Sequence, residues 1–286
     1  MATVLLATCA ELPEADEDAG VLEAALARLG ADARWAVWTD PAVDWSAGLV
    51  VLRSTWDYTV DVDRFLGWVE GLDRVANEPK VIAWNTDKLY LRDLADAGVP
   101  TVPTAFAAPG DPVPLPQTGQ FVLKPSVGAG SRGAGRFEAS RSDDARAHAA
   151  SLHAAGRTIL IQPYLDAVDA AGETALIYLD GAFSHAIRKG AMLPETVAHA
   201  VDADVLYVEE EISARTPSAA ELEVGAAALA AIRDRFGADL LYTRVDLLPS
   251  PDGPVVVELE LTEPSLFLQY GADAADSFAA AIVARA

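Results

Sequence analysis

A single cysteine, Cys9, stands among 286 residues, so no internal disulfide can form and no Cys-rich zinc site can be built. Lysine is nearly as scarce. Only Lys80, Lys88, Lys124 and Lys189 occur, and three of these four fall inside the motifs described below. Positive charge is in short supply altogether: 21 Lys and Arg stand against 43 Asp and Glu, a formal net charge of −22. Such a surface repels nucleic acid phosphates and anionic membranes, which excludes both as expected partners. Met1 to Leu12 has neither a basic start nor a long apolar core. Neither a signal peptide nor a membrane anchor is expected there, and a cytoplasmic location is. No internal repeat or low-complexity tail is found. A composition of 51% hydrophobic and 22% charged residues suits a globular chain of one to three lobes.

What is present alternates. Thr3 to Ala7, Arg34 to Trp38 and Gly48 to Arg53 read as strands. Asp18 to Gly30 carries a helical period at Val21, Leu22, Ala25 and Leu29. With a helix over Asp63 to Leu72, this predicts a small α/β lobe on a parallel sheet, residues 1–85. A second lobe, residues 86–165, opens with a helix over Asp87 to Ala97 that Gly98 and Pro100 stop. Pro103 to Gln120 reads as a loop. Strands over Phe121 to Lys124, Gly135 to Phe137 and Thr158 to Gln162 follow, with a helix around Asp143 to Ala155. Residues 166–286 read as two hairpins with one helix between them, Ala219 to Phe236, and a last helix from Ala272 to Ala284.

Three patterns carry chemistry. Tyr242 to Leu248 and Val255 to Leu261 alternate around a turn-forming Pro249-Ser-Pro-Asp-Gly-Pro254. Centred on Asp252, this hairpin sets Asp246 opposite Glu258 and Arg244 opposite Glu260, all on one face. Val245, Leu247, Val257 and Leu259 then form the core face. Facing carboxylates repel unless a cation joins them, and hard oxygen donors at this spacing suit Mg²⁺. A solvated face with Arg244 in a surface ion pair meets the same pattern. Second, Phe121 to Gly135 leads Lys124 into a loop with four glycines and Arg132. Backbone N–H groups can approach phosphate oxygens there. The loop is neither a P-loop nor a dinucleotide fingerprint, and a simple turn remains the plain alternative. Third, Asp180-Gly181 is a two-residue hairpin turn whose register sets Glu173 opposite Arg188, with Lys189 on the other face in line with His185. Arg188 and Lys189 are candidates to meet phosphate and a substrate carboxylate; a cross-strand salt bridge beside an exposed lysine is the alternative.

Arg53, Trp56 and Tyr58 follow a strand end, where α/β sheets bind ligands. They are candidates for an acceptor pocket, and Trp56 and Tyr58 are equally candidates for packing between lobes. Cys9 reads as a small buried residue and His185 as a locally hydrogen-bonded strand histidine. His148, His153 and His199 show no ligand spacing.

In this order and spacing, the pieces from about Asn85 to Leu268 resemble the ATP-grasp ligases. The fold class implied is α/β with an α+β grasp: a small N-terminal α/β lobe followed by a two-lobed ATP-binding module. Asn85-Thr-Asp-Lys88 and Ala97-Gly-Val-Pro-Thr-Val-Pro-Thr104 look like the opening segment of the grasp. The resemblance implies that Lys88 and Lys124 contact ATP, and that Ser126 to Gly135, with Ser131 and Arg132, forms a phosphate-covering lid. It implies that Gln162, Tyr164 and Leu165 sit in the linker that pairs with adenine, and that Glu173 lies near the nucleotide, on the ribose side. Arg244 would steady the transferred phosphoryl group, and Asp246, Glu258 and Glu260 would bind Mg²⁺. Many members carry Glu-x-Asn where this chain has Glu258-Leu-Glu260, which leaves the part played by Glu263 open.

Val51-Leu-Arg-Ser-Thr-Trp-Asp-Tyr58, Trp84-Asn-Thr-Asp-Lys88 and Phe183-Ser-His-Ala-Ile-Arg-Lys189 carry a closer likeness. It is to the subgroup that includes the O-ureido-D-serine cyclo-ligase forming D-cycloserine. The implied reaction joins a carboxylate to an amine through an acyl phosphate, on a small amino-acid-like substrate, with ATP and Mg²⁺. Ring closure within one molecule and ligation between two both remain open, and a homodimer is compatible with this class. Competing readings are a phosphotransferase, a non-catalytic nucleotide-binding relative and a glycosidase. The Gly-rich loop and the lysines disfavour the last.

Overall fold

The computed structural model describes residues 2–191, 211–237 and 240–286. The first lobe is built on a parallel sheet in the order β2-β1-β3, with β1 (Thr3–Thr8), β2 (Asp32–Val37) and β3 (Leu49–Ser54). Helix α1 (Ala19–Arg28) buries Leu22, Ala25 and Leu26, the face its sequence period marked. It ends before Gly30, whose φ of +69° only glycine adopts freely. Helix α2 (Val62–Glu70) lies where expected, its first turn capped by the Asp61 carboxylate.

Next come α3 (Pro79–Thr86) and α4 (Tyr90–Asp96). The first of these had no counterpart in the sequence reading: it is short, and its leading Glu78 makes no side-chain cap. The second begins three residues later than expected because the chain breaks direction at Asp87 (φ −107°, ψ 119°). The middle sheet has the order β4-β7-β5-β6, with β4 (Ala105–Ala107), β5 (Gln120–Pro125), β6 (Gly135–Glu138) and β7 (Ile159–Pro163). Strand β4 lies in a stretch expected to be loop; at three residues it is held by pairing with β7 and by the packing of Phe106 and Ala107. Helix α5 (Ser142–Ala154) covers this sheet through Ala145, Ala149 and Leu152.

The last sheet follows the short helix α6 (Val168–Ala171). Its order is β10-β9-β8-β11-β12, with β8 (Glu173–Leu179), β9 (Ala182–Lys189), β10 (Ile212–Ala214), β11 (Tyr242–Ser250) and β12 (Gly253–Glu260). Between β10 and β11 runs α7 (Ala219–Phe236), matching its expected span. A Ser218/Glu221 capping box starts it, and Gly237 at φ +76° stops it. The chain closes with α8 (Ala274–Arg285).

Each face of the last sheet shares a core with a neighbour. Val81, Tyr90 and Leu94 of α3 and α4 join Leu176, Val245, Leu259 and Ile232 in one cluster. Val4, Leu22 and Leu26 of the first lobe join Ile177, Ile187, Phe278 and Ile282 in another. Asn85 stitches α3 to the sheet: it donates to Leu259 O at 2.7 Å and accepts from Leu261 N at 2.7 Å. No helix among the described residues is long and apolar enough to cross a membrane.

Two β-bulges correct the hairpin registers. In β11–β12 the site end pairs as expected, Asp246 with Glu258 and Arg244 with Glu260. Toward the turn, however, Leu247 pairs with Val256, so Val257 is an extra residue. Val256 therefore enters the core in place of Val257, which is only partly buried and lines a cavity instead. In β8–β9 the Asp180-Gly181 turn is as expected, but Ile177 pairs with His185 and Tyr178 with Phe183. Ser184 is thus extra, and Glu173 faces Lys189 rather than Arg188. A one-residue slip moves every later side chain to the opposite face.

Candidate active site

A cavity of about 530 Å³ is lined by residues of all three lobes. From the first lobe come Trp56 and Tyr58. The middle sheet and its Gly-rich loop give Lys124, Ser131, Arg132, Gln162, Tyr164 and Leu165. Lys88, at the start of α4, and Glu173, Lys189, Arg244, Glu258 and Glu260 of the last sheet complete the set.

The wall formed by the last sheet is an alternating lattice of charge. Lys88 Nζ lies 2.9 Å from Glu258 Oε1 and donates to Gly128 O at 2.6 Å, joining the hairpin to the Gly-rich loop. Lys189 Nζ bridges Glu173 and Asp246, the latter at 2.7 Å. Arg244 donates to Asp246 at 2.8 and 2.9 Å and also pairs with Glu260. Asp246 itself, 1% exposed, lies beneath this wall and is not part of the cavity lining.

Titration follows from the pairing. Burial works against Asp246, yet Arg244 and Lys189 hold its carboxyl well below the usual range. Burial likewise opposes Glu258, and Lys88 with Lys124 outweighs it, leaving this carboxyl lowered. Glu260 and Glu263 go the other way. Burial pushes Glu260 up to about 7 against Arg244, and burial reinforced by Glu260 pushes Glu263 up to about 8. The Lys124 side chain has no hydrogen bond or ion pair among the described residues, and burial depresses its ammonium.

The Gly-rich loop closes one side. Ser131 (φ +58°), Gly130 and Gly133 all sit in the left-handed region, which turns the loop sharply over the cavity. Arg132 lines the cavity, but its guanidinium also donates to Trp56 O at 3.0 Å and to the Thr59 hydroxyl, tying the loop to the first lobe. Gln162 Nε2 is held by Thr104 Oγ1 at 2.9 Å, and Arg136 lies 3.5 Å from the centre of the Tyr164 ring.

Besides Asp246, two candidates are not brought to the cavity lining. Arg188 lies on the other face of β9, because of the Ser184 bulge, and its Nε donates to Ala171 O at 3.0 Å. Arg53 is fully buried; it donates to Asp18 Oδ2 and Pro264 O, each at 3.1 Å. Cys9 is buried, and burial raises its thiol to about 11. The ring of His185 meets the neighbouring Ser184 Oγ through Nδ1 at 2.9 Å, the local bond expected, and contacts Leu266 O at 2.9 Å and Phe267 O at 3.1 Å through Nε2. His199 lies outside the described residues. The sequence reading left Asp16, Ser265 and Phe267 unplaced, although all three line the cavity. Nothing in their own neighbourhoods marks them: long-range hydrogen bonds hold the backbone of Ser265 and Phe267, and Asp16 lies 3.7 Å from Arg53.

A three-sheet chain with a Gly-rich loop, three cavity lysines and a charged hairpin defines an ATP-grasp enzyme. The fold is shared with D-alanine–D-alanine ligase from Bacillus anthracis complexed with ATP, at a TM-score of 0.64 and 14% identity, over 100% of this chain and 97% of that one. The crystal structure of D-cycloserine synthetase DcsG matches with a TM-score of 0.89 and 36% identity, over 99% of both chains. In sequence, the cycloserine biosynthesis protein DcsG of Streptomyces lavendulae is 37% identical over 302 residues, covering 100% of this chain and 99% of that protein. A family model described as the N-terminal domain of D-cycloserine synthetase DcsG matches residues 4–77. The chain belongs to the DcsG family, and is an ATP-dependent ligase.

Proposed function

We propose that this chain closes a ring within a small amino-acid-like substrate, joining its carboxylate to a nitrogen of the same molecule, as the name of its D-cycloserine-synthesising relatives implies. One observation carries the reading: a single cavity gathers Lys88, Lys124 and Lys189 with the Arg244, Glu258 and Glu260 face. In a chain with only four lysines and a net charge of −22, this is where a polyanion can bind.

In this reading the substrate carboxylate attacks the γ-phosphorus of ATP, releasing ADP and leaving an acyl phosphate. The nitrogen then displaces phosphate. The side chains act by position and charge, since phosphoryl transfer needs little covalent help from the protein. Lys88 and Lys124 hold phosphate oxygens, Arg244 and Lys189 face the transferred group, and Gln162, Tyr164 and Leu165 wall the base. The loop with Ser131 and Arg132 excludes water, which would hydrolyse the acyl phosphate.

The donor set suits Mg²⁺. Among the described residues no three acidic, His or Cys side chains form a metal cage by themselves. Mg²⁺ does not require one, because it takes one or two carboxylates and completes its shell with phosphate oxygens and water. Glu258 and Glu260, with Asp246 behind them, are those carboxylates. Bound there, Mg²⁺ would offset polyphosphate charge. The division into residues 1–85, 86–165 and 166–286, and a cytoplasmic setting, belong to the same proposal.

The test is ADP release with Mg-ATP against a panel of amino acids and dipeptides that includes O-ureido-D-serine, with products read by mass spectrometry. A cyclic product is expected. A linear amide joining two molecules would replace ring closure with intermolecular ligation, and a stable phosphorylated product would replace ligation with phosphotransfer.

A further inference from the structure

We infer that Asp18 and Arg53 are positioning residues for the ligation step, acting through the loop of residues 262–268; this rests on reading the cavity as a ligase site. The loop has no regular structure up to Leu268, yet side chains take every carbonyl from Thr262 to Phe267. Tyr242 OH donates to Thr262 O at 2.8 Å, Trp56 Nε1 to Glu263 O at 3.0 Å and Arg53 to Pro264 O at 3.1 Å. Arg244 donates to Ser265 O at 3.2 Å, and His185 Nε2 lies between Leu266 O and Phe267 O. From the opposite side, the Asp18 carboxylate accepts Leu266 N at 2.9 Å and Leu268 N at 2.6 Å, while Arg53 holds it at 3.1 Å.

Asp18 breaks a local rule to do this. It occupies the N-cap of α1, where an aspartate ordinarily accepts from its own first turn, and it makes no such bond. Its oxygens cap a loop almost 250 residues away instead. A residue that forgoes a local bond for a remote one marks a functional constraint. The loop also holds Phe267 at φ +50°, a conformation a bulky residue keeps only when its surroundings impose it.

The loop's cavity groups are Glu263, Ser265 and Phe267, beside Trp56 and Tyr58. Neither Asp18 nor Arg53 reaches the cavity, and both are fully buried. A buried ion pair is a weak source of stability and a good source of geometry. The pair therefore fixes the wall against which the substrate carboxylate must align, and leaves nucleotide contacts alone.

The experiment compares wild type with Asp18→Asn, Arg53→Lys and the double variant Asp18→Leu/Arg53→Met. It uses ADP-release kinetics, ATP calorimetry, thermal melts and amide exchange at Leu266 and Leu268. In Asp18→Asn, kcat/KM for the acid is expected to fall about a hundredfold, the usual scale for a reacting group misplaced by an ångström. ATP Kd stays within about twofold, exchange at the two amides rises, and Arg53→Lys loses less. The double variant leaves the buried Asp16 carboxylate, 3.7 Å from Arg53 in wild type, without its cation; adding Asp16→Asn recovers the melt but not the rate. A double variant as fast as wild type, or an ATP affinity that falls in step with kcat/KM, overturns the inference. If wild type binds ATP but no acid stimulates ADP release, the ligase reading fails separately; unchanged exchange in Asp18→Asn would then overturn the clamp as well.

Discussion

The two hairpins of the last sheet share a plan and differ in what their bulges exchange. Each has one extra residue on its second strand, Ser184 in β9 and Val257 in β12. Continued from its turn without a bulge, β12 would set Val257 against Asp246 and Leu259 against Arg244. The bulge substitutes Glu258 and Glu260, so it turns an apolar face into a charged one. In β9 the bulge replaces Arg188 by Lys189 opposite Glu173, one cation for another. The β12 bulge thus creates the site, whereas the β9 bulge selects which cation serves it. Bulges beside active sites commonly re-aim side chains, and here the two do so with unequal consequences.

Breaking the β12 register has the largest expected effect. Insertion of one alanine after Val256, with a single bulge kept, sets Val257 against Asp246 and turns Glu258 and Glu260 toward the core, so turnover disappears and the thermal melt drops sharply; an insertion variant with wild-type activity would refute the register argument. Asp246→Asn and Glu258→Gln keep the fold and lower ADP release by about a thousandfold or more, as expected where charge neutralisation carries catalysis. Near-normal rates in either would remove the hairpin from the metal site. The β9 comparison is sharper: Lys189→Met should cost about a hundredfold in kcat, while Arg188→Met stays within about threefold. Equal losses would show that the cation exchange has no functional weight. Lys124→Ala should weaken ATP binding about tenfold by calorimetry, the scale of one charged hydrogen bond. The smallest effect concerns His185, which links β9 to the 262–268 loop. Burial lowers its pKa below the usual 6.5, so the unfolded chain takes up the proton first. The contribution of His185 to stability should be full above about pH 6.5 and fall as pH drops below it, by a few degrees in Tm, a slope reduced in His185→Gln to the share left by the similarly lowered His148.

Local signals were legible and remote ones were not. Helix α7 is bounded by Ser218, Glu221 and Gly237, each of which acts within a few residues, and its span was readable to the residue. The Asp246–Glu258 pairing was legible too, but by compensation: the arithmetic placed the turn half a residue late, and the bulge restored the sum. In β8–β9 the turn was read correctly and Ser184 then displaced the site. No propensity marks Ser184 or Val257 as extra residues; the packing of Ile187 and Val256 on either face of the sheet decides that. Arg53 was misread for a similar reason. A strand end near a cleft invites a ligand role, and only the coordinates reveal Asp18 and Pro264 around its guanidinium.

The contact between α8 and the first lobe bears on how the chain is made. Phe278 and Ile282 complete the apolar cluster begun by Val4, Leu22 and Leu26, yet they leave the ribosome roughly 200 residues after the first lobe has emerged. At ~5–20 residues per second that is a delay of about 10–40 seconds. For that interval one face of the earliest-made helix is bare, and a chaperone is its natural cover. A premature stop just ahead of α8 would therefore do its main damage at the opposite end of the polypeptide, in the part that had been synthesised first.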